Sequence, residues 1–183
     1  AGAQQAGQVR GLGLLALHAN IQSVMHALDR IRQEASGRWE GLRHQLGDAS
    51  QRLQLDQVLK VYSIFSLGGG TGGAIETDVT SHFRNLVGEN VDITAIATLP
   101  EVHQTCFTGE PDQYHRVQAN GVAKLIELEA IMTGDAKKRK LQISTRVGET
   151  VTIPFPLYNS VYFLGRKDAT NSDLGSAKAV FDS

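Results

Sequence analysis

The sequence predicts an α/β fold, a Rossmann-like parallel sheet with flanking helices, and three observations carry the prediction. Val58–Phe65 (VLKVYSIF) is rich in β-branched and aromatic residues, the composition of a buried strand. Val91–Leu99 (VDITAIATL) is a second run of the same kind. Between them stand a glycine loop, Ser66–Gly73 (SLGGGTGG), and a segment where Ile75, Val79, Phe83 and Leu86 recur at helical spacing. Strand, loop, helix, strand is a βαβ unit, and its two strands run parallel.

The totals bound the rest. A chain of 183 residues, 41% apolar and 20% charged, has the size and composition of one globular core. A formal net charge of −1 gives no general attraction to nucleic acid or to an anionic membrane, so neither is an expected partner. No apolar run is long enough to span a bilayer, and no signal peptide opens the chain. The lone Cys106 excludes an internal disulfide and suits a reducing compartment, so a cytoplasmic protein is expected.

Taken in order, Ala1–Gly13 is rich in Gly, Ala and Gln, and reads either as a loop feeding a helix or as a disordered terminus. A helix is predicted over Leu12–Glu34. Its Leu14, Leu17, Ile21, Val24, Leu28 and Ile31 form one stripe, expected to pack on the sheet. His18 and His26 lack metal-ligand spacing and read as ordinary helix residues. Ser36–Gln57 is polar and predicts a short helix or a long loop, with Trp39 as its buried anchor.

The loop Gly68–Gly73 has a physical use. Residues without Cβ let backbone approach a ligand closely, and the loop ends where a helix begins. Free N–H groups and the positive dipole end then face one point, and phosphate is the expected guest. A tight turn with no ligand is the alternative, but one glycine would suffice for that. No Lys-Ser or Lys-Thr follows, so this is not a Walker A loop. Gly68, Gly70 and Gly73 satisfy G-x-G-x-x-G, the dinucleotide fingerprint, but the acid it wants is offered only late, by Glu101.

On the following helix, Asp78 and His82 are four apart and predict a pair on the solvent face; no elbow motif supports a Ser–His–Asp site with Ser81. Gly88 suits the helix C-cap. Pro100–Pro111 predicts a loop, where His103 and Cys106 lack a second pair to complete a zinc site. A helix is predicted over Asp112–Met132, with Asp112 and Arg116 on one face. Leu141–Arg146 and Thr150–Ile153 predict a hairpin, and Ser160–Leu164 a further strand running into a polar loop, Gly165–Asn171. Leu174–Ser183 reads as the start of a helix.

The string Gly-Gly-Gly-Thr-Gly-Gly at Gly68–Gly73 resembles the signature of the tubulin/FtsZ superfamily, whose glycine loop wraps nucleotide phosphates. Gly7-Gln8-Val9-Arg10, and Ala119-Asn120 with Glu127-Leu128-Glu129, are most similar to stretches of the bacterial tubulin-like proteins. The resemblance implies that Gly68, Gly69, Gly70, Thr71, Gly72 and Gly73 bind the phosphates of GTP or GDP, and that the Gly2–Gly7 region is a second phosphate loop. It implies that Asp112 and Arg116 hold ribose and phosphate, with an i,i+4 salt bridge as the alternative. Asn171, or Asp168 behind it, would read sugar or base. Mg²⁺ would arrive with the phosphates, and no metal cage is expected. The family also implies self-assembly into filaments, adaptor proteins of unknown kind, and GTP hydrolysis at subunit contacts. Against that pattern, residues 1–183 are expected to be a fragment of the domain. They lack the first strand with its loop and the central helix with its acidic catalytic loop, so no catalytic residue is assigned. A dinucleotide-binding oxidoreductase and a non-hydrolysing tubulin-like interaction module are the alternatives.

Overall fold

A computed structural model describes residues 9–47, 58–133, 140–146, 149–154, 156–167 and 170–175. The elements are α1 (Arg10–Ala19), α2 (Ile21–Leu46), β1 (Leu59–Ser66), α3 (Gly72–Val87), β2 (Val91–Thr98), a 3-10 helix (Pro100–Phe107), α4 (Pro111–Thr133), β3 (Lys140–Arg146), β4 (Glu149–Pro154) and β5 (Ser160–Leu164). Strands β1, β2 and β5 form a parallel sheet in that order, and β3–β4 is a separate antiparallel hairpin. This is the α/β, parallel-sheet fold expected.

Alternation along β2 decides where the core lies. Val91, Ile93, Ala95 and Ala97 point to one face and are buried with Phe65, Leu128, Ile131, Leu157 and Tyr158. The other face carries Tyr62, Ile64 and Tyr162, which stay more than half exposed, with Ile64, Ile96 and Tyr162 in one register row. Helices α3 and α4 therefore cover one side of the sheet, with their glycine-loop and N-terminal ends at the carboxyl ends of the strands.

The first helical segment departs from expectation in two ways. It breaks at Asn20, whose side chain donates to the Ala16 carbonyl and whose N–H bonds to Leu17. The second piece then runs on to Leu46 through Gly37 and Gly41, where a short helix or a loop was expected, and stops at Gly47 with a φ of +49°. Nor does the stripe pack on the sheet. Leu17 is buried, but Ile31 is 51% exposed and α2 has no fully buried residue. The reason is layering: α3 and α4 already occupy the sheet face, so α1 and α2 lean on α3 from outside. Trp39 is only half-buried, in a cavity of about 640 Å³ with Ile31, Leu42, Leu59 and Val87.

The pairing of Asp78 and His82 on a solvent face is also corrected. His82 is buried and its Nδ1 has no hydrogen-bond partner among the described residues. Burial pushes its pKa down, against the pull of Asp78. Burial alone pushes His103 down as well. Both rings are then held neutral in the fold while the unfolded chain binds protons near the usual histidine value of about 6.5. Their contribution is full above that pH and is lost below it. Urea unfolding should show lower stability at pH 5.5 than at pH 7.5, and His82→Gln should shrink that difference; an equal drop in the variant would remove His82 from the account.

Candidate functional site

The glycine loop is set by bonds on both sides of it. The Leu67 N–H continues the sheet by donating to Thr98, and Gly69 N–H turns back to Ser66 at 3.4 Å. Thr71 is the N-cap of α3, and its carbonyl accepts from Ala74 and Ile75, both at 3.0 Å, yet its hydroxyl makes no cap bond. The N–H groups of Gly70, Thr71, Gly72 and Gly73 find no acceptor among the described residues. No acidic residue lies in the first turn of α3 to meet its positive end.

A second helix start meets the first. A Cβ on Gly13 of α1 would stand 2.7 Å from the Gly70 carbonyl oxygen and 3.1 Å from Thr71 Cα, so only glycine allows this approach. Arg10 Nη2 donates to the Gly73 carbonyl at 3.3 Å. The first turn of α1 also lacks an acidic residue and a side-chain cap. Two uncapped positive helix ends thus converge beside the loop.

Helix α4 closes a third side. A Cβ on Gly68 would lie 2.4 Å from Val117 Cγ1, and Asn120 Nδ2 donates to the Gly68 carbonyl at 3.2 Å. The loop glycines therefore divide. Gly68 is needed for packing against α4, and Gly73 sits tight under Leu67 and Ser66. Thr71 and Gly72 are exposed, with open space where a Gly72 side chain would go.

Arg116 immediately precedes Val117 and is exposed, as is Asp112 in the first turn of α4. No ion pair joins them, so the surface salt bridge is not formed. Asn171 is exposed, with a left-handed φ of +65°, in the turn after β5. That turn is tied down by Arg166, which bonds Asp173 at 2.6 Å and Gln104 of the 3-10 helix at 2.9 Å. All these residues follow the carboxyl ends of the parallel strands, where sheets of this kind form ligand crevices. The loop, α1 and α4 are brought together directly, whereas Asn171 stands at the end of β5, separated from β1 by β2. Gly2, Gly7 and Asp168 lie outside the described residues. Among the described residues no cluster of His, Cys, Asp or Glu could hold a metal ion.

Behind the loop lies a polar cluster that periodicity does not disclose. Glu76 is buried and accepts from Ser63 at 2.7 Å, Thr80 at 2.8 Å and the Tyr158 hydroxyl at 2.6 Å. Burial and the Glu76 carboxylate push the Tyr158 phenol far above its ordinary value. Lys124 is fully buried, 3.5 Å from Glu76 and 2.7 Å from Glu127, and it also donates to Thr77. Glu127 accepts from Thr77 as well and pairs with Arg10 at 2.6 Å. Burial pulls the Glu127 carboxyl up, but Lys124, Thr77 and Arg10 together outweigh it and hold it below the ordinary range. The only sequence signal for this cluster was indirect: Arg10 and Glu127 belong to the two stretches on which the finer resemblance rested, and here they touch.

His103, which lacks the partners for a zinc site among the described residues, has a structural role. The segment carrying it is a 3-10 helix rather than a loop, and its Nε2 sits 3.1 Å from Ser66 Oγ and 3.0 Å from Thr98 Oγ1. It joins the ends of β1 and β2 under the loop. Cys106 is exposed.

Among known proteins, a family model described as "Tubulin like" matches residues 2–182. No curated protein and no solved structure matches the chain significantly. The family match spans all of the sheet, the glycine loop and the polar cluster behind it, and the chain belongs to the tubulin-like family.

Proposed function

We propose that the chain binds guanine nucleotide at the glycine loop and assembles with copies of itself, hydrolysing GTP at the contact between subunits. The observation that carries the binding reading is the meeting of two uncapped helix N-termini, α1 and α3, on a loop where the N–H groups of Gly70, Thr71, Gly72 and Gly73 lack acceptors among the described residues. Such a place favours a polyanion. Membership of the tubulin-like family supports GTP or GDP as that polyanion.

In this reading Gly70, Thr71, Gly72 and Gly73 offer backbone N–H groups to the phosphates. The exposed Thr71 hydroxyl adds a further donor or faces a phosphate-bound Mg²⁺. Gly2 and Gly7 approach from the N-terminal side. Arg116 reaches the phosphates across the mouth of the loop, Asp112 the ribose, and Asn171 or Asp168 the sugar or base. Mg²⁺ would be carried by the nucleotide, since these residues supply few carboxylates near the loop.

Titration calorimetry with GTP and with NAD tests the reading, because the dinucleotide alternative rests on Gly68, Gly70 and Gly73. Binding of NAD but not GTP would overturn it. Arg116→Ala should weaken GTP binding by about 10-fold to 100-fold, the worth of a charged hydrogen bond of about 1.5–3 kcal/mol. Apo stability should move by less than about 0.5 kcal/mol, because Arg116 is exposed and forms no ion pair among the described residues. Unchanged affinity would take Arg116 out of the site.

Hydrolysis requires a group to orient water, and the first turns of both α1 and α3 lack an acid. A carboxylate supplied by a second copy would meet that need. No catalytic residue is assigned within residues 1–183, so by themselves they should bind GTP with little or no turnover. Robust phosphate release that rises per molecule with protein concentration would show a complete subunit-contact site and overturn that expectation.

A further inference from the structure

We propose that Arg10 and Glu127 are positioning residues that fix the glycine loop from behind, coupling it to α4. The inference rests on the nucleotide reading only for its effect on binding. The same nitrogen of Arg10, Nη2, carries two protons and gives one to the Gly73 carbonyl and one to Glu127. These contacts span 63 and 117 residues of sequence, so they tie α1, the first turn of α3 and α4 at one atom. Glu127 is not free to follow Arg10. Thr77 and Lys124 hold its other oxygen, and Lys124 is itself buried against Glu76 and over the Phe65 ring at 5.6 Å. The anchor is thus fixed on the α4 side, and the guanidinium is its link to the loop.

One turn along α1 from Arg10, Gly13 touches Gly70 and Thr71. The Arg10 bridge therefore presses this glycine contact against the loop, and loss of the bridge lets α1 lift from it. Lys124 is shared between Glu76 and Glu127, so Arg10 is the second cation that balances the two carboxylates, and it is the one that also reaches the loop.

The test compares the full chain with Arg10→Ala, Glu127→Gln and the double variant. Amide hydrogen exchange at Ala74 and Ile75, whose N–H groups bond to Thr71, reports loop order without any ligand. Exchange there should quicken about tenfold in each single variant, and no further in the double variant, while β2 amides keep their protection. Unchanged exchange at Ala74 and Ile75, or effects that multiply in the double variant, would overturn the proposal. So would a general rise that includes β2, because it would mark simple destabilisation. GTP titration is then run on the same proteins, with about tenfold weaker binding expected in each single variant. Wild-type protein that ignores GTP while its loop still responds to Arg10→Ala would overturn the nucleotide reading and leave the positioning role standing. Wild-type protein that binds GTP no better than the variants would overturn positioning for binding.

Discussion

Lys124→Met will destabilise the protein by about 3–5 kcal/mol at neutral pH, the usual loss when one partner of a buried ion pair is removed. Methionine fills most of the lysine volume, so the loss will be electrostatic rather than a cavity effect. Lys124 is fully buried between Glu76, which is 6% exposed, and Glu127. Without the ammonium, Glu76 keeps the hydroxyls of Ser63, Thr80 and Tyr158 but loses its only close cation among the described residues. Glu127 fares better, since Arg10 remains and its own exposure is greater. The damage will therefore concentrate on Glu76 and on the contact between α3 and the Tyr158 segment. Denaturant unfolding measures it directly. A loss under about 1 kcal/mol would mean that an apolar side chain serves as well there, as some buried ion pairs allow.

How much of this could be read from residues alone follows from the kind of signal each feature leaves. The sheet was legible because β1 and β2 are short apolar runs bracketing a glycine loop, and the loop was legible as a place where backbone is bare. The helical layer was misread for a definite reason. The stripe from Leu14 to Ile31 records amphipathicity, and amphipathicity does not say whether the partner is a sheet or another helix. Glycines at Gly37 and Gly41 suggested a break, yet each costs only about 1 kcal/mol in a helix, too little to end one that packs along α3. Glu76, Lys124 and Glu127 stood on segments with correct helical periods. Nothing in spacing shows that charged positions on α3 and α4 turn inward and meet. The same limit hid the two roles of the loop: Gly68 is bare so that α4 can approach, as Gly13 is on α1, while Thr71 and Gly72 stand exposed to solvent.

That division allows a substitution that separates folding from binding. Gly72→Asp places a carboxylate in open space at the first position of α3, where a Cβ meets nothing within 4 Å and where the first turn has no acid. Gly72 is not among the residues held at positive φ, so the new side chain brings no backbone strain. A negative charge at a helix N-terminus is worth about 0.3–1 kcal/mol, and leaving glycine adds a few tenths more. The apo protein should therefore become slightly more stable. Binding should go the other way. The carboxylate would occupy the field meant for phosphate and repel it, and two like charges about 4 Å apart near a surface oppose each other by about 4 kcal/mol. Loss of GTP affinity of at least about 100-fold is expected, which is about 2.8 kcal/mol. Gly72→Asn supplies the neutral control, with similar shape and a far smaller loss. Opposite movement of thermal midpoint and affinity in the aspartate variant would be hard to obtain from general damage to the fold. If the aspartate variant gains stability and binds GTP within about threefold of wild type, the phosphates do not sit at the start of α3, and the site proposed for this tubulin-like protein is in the wrong place.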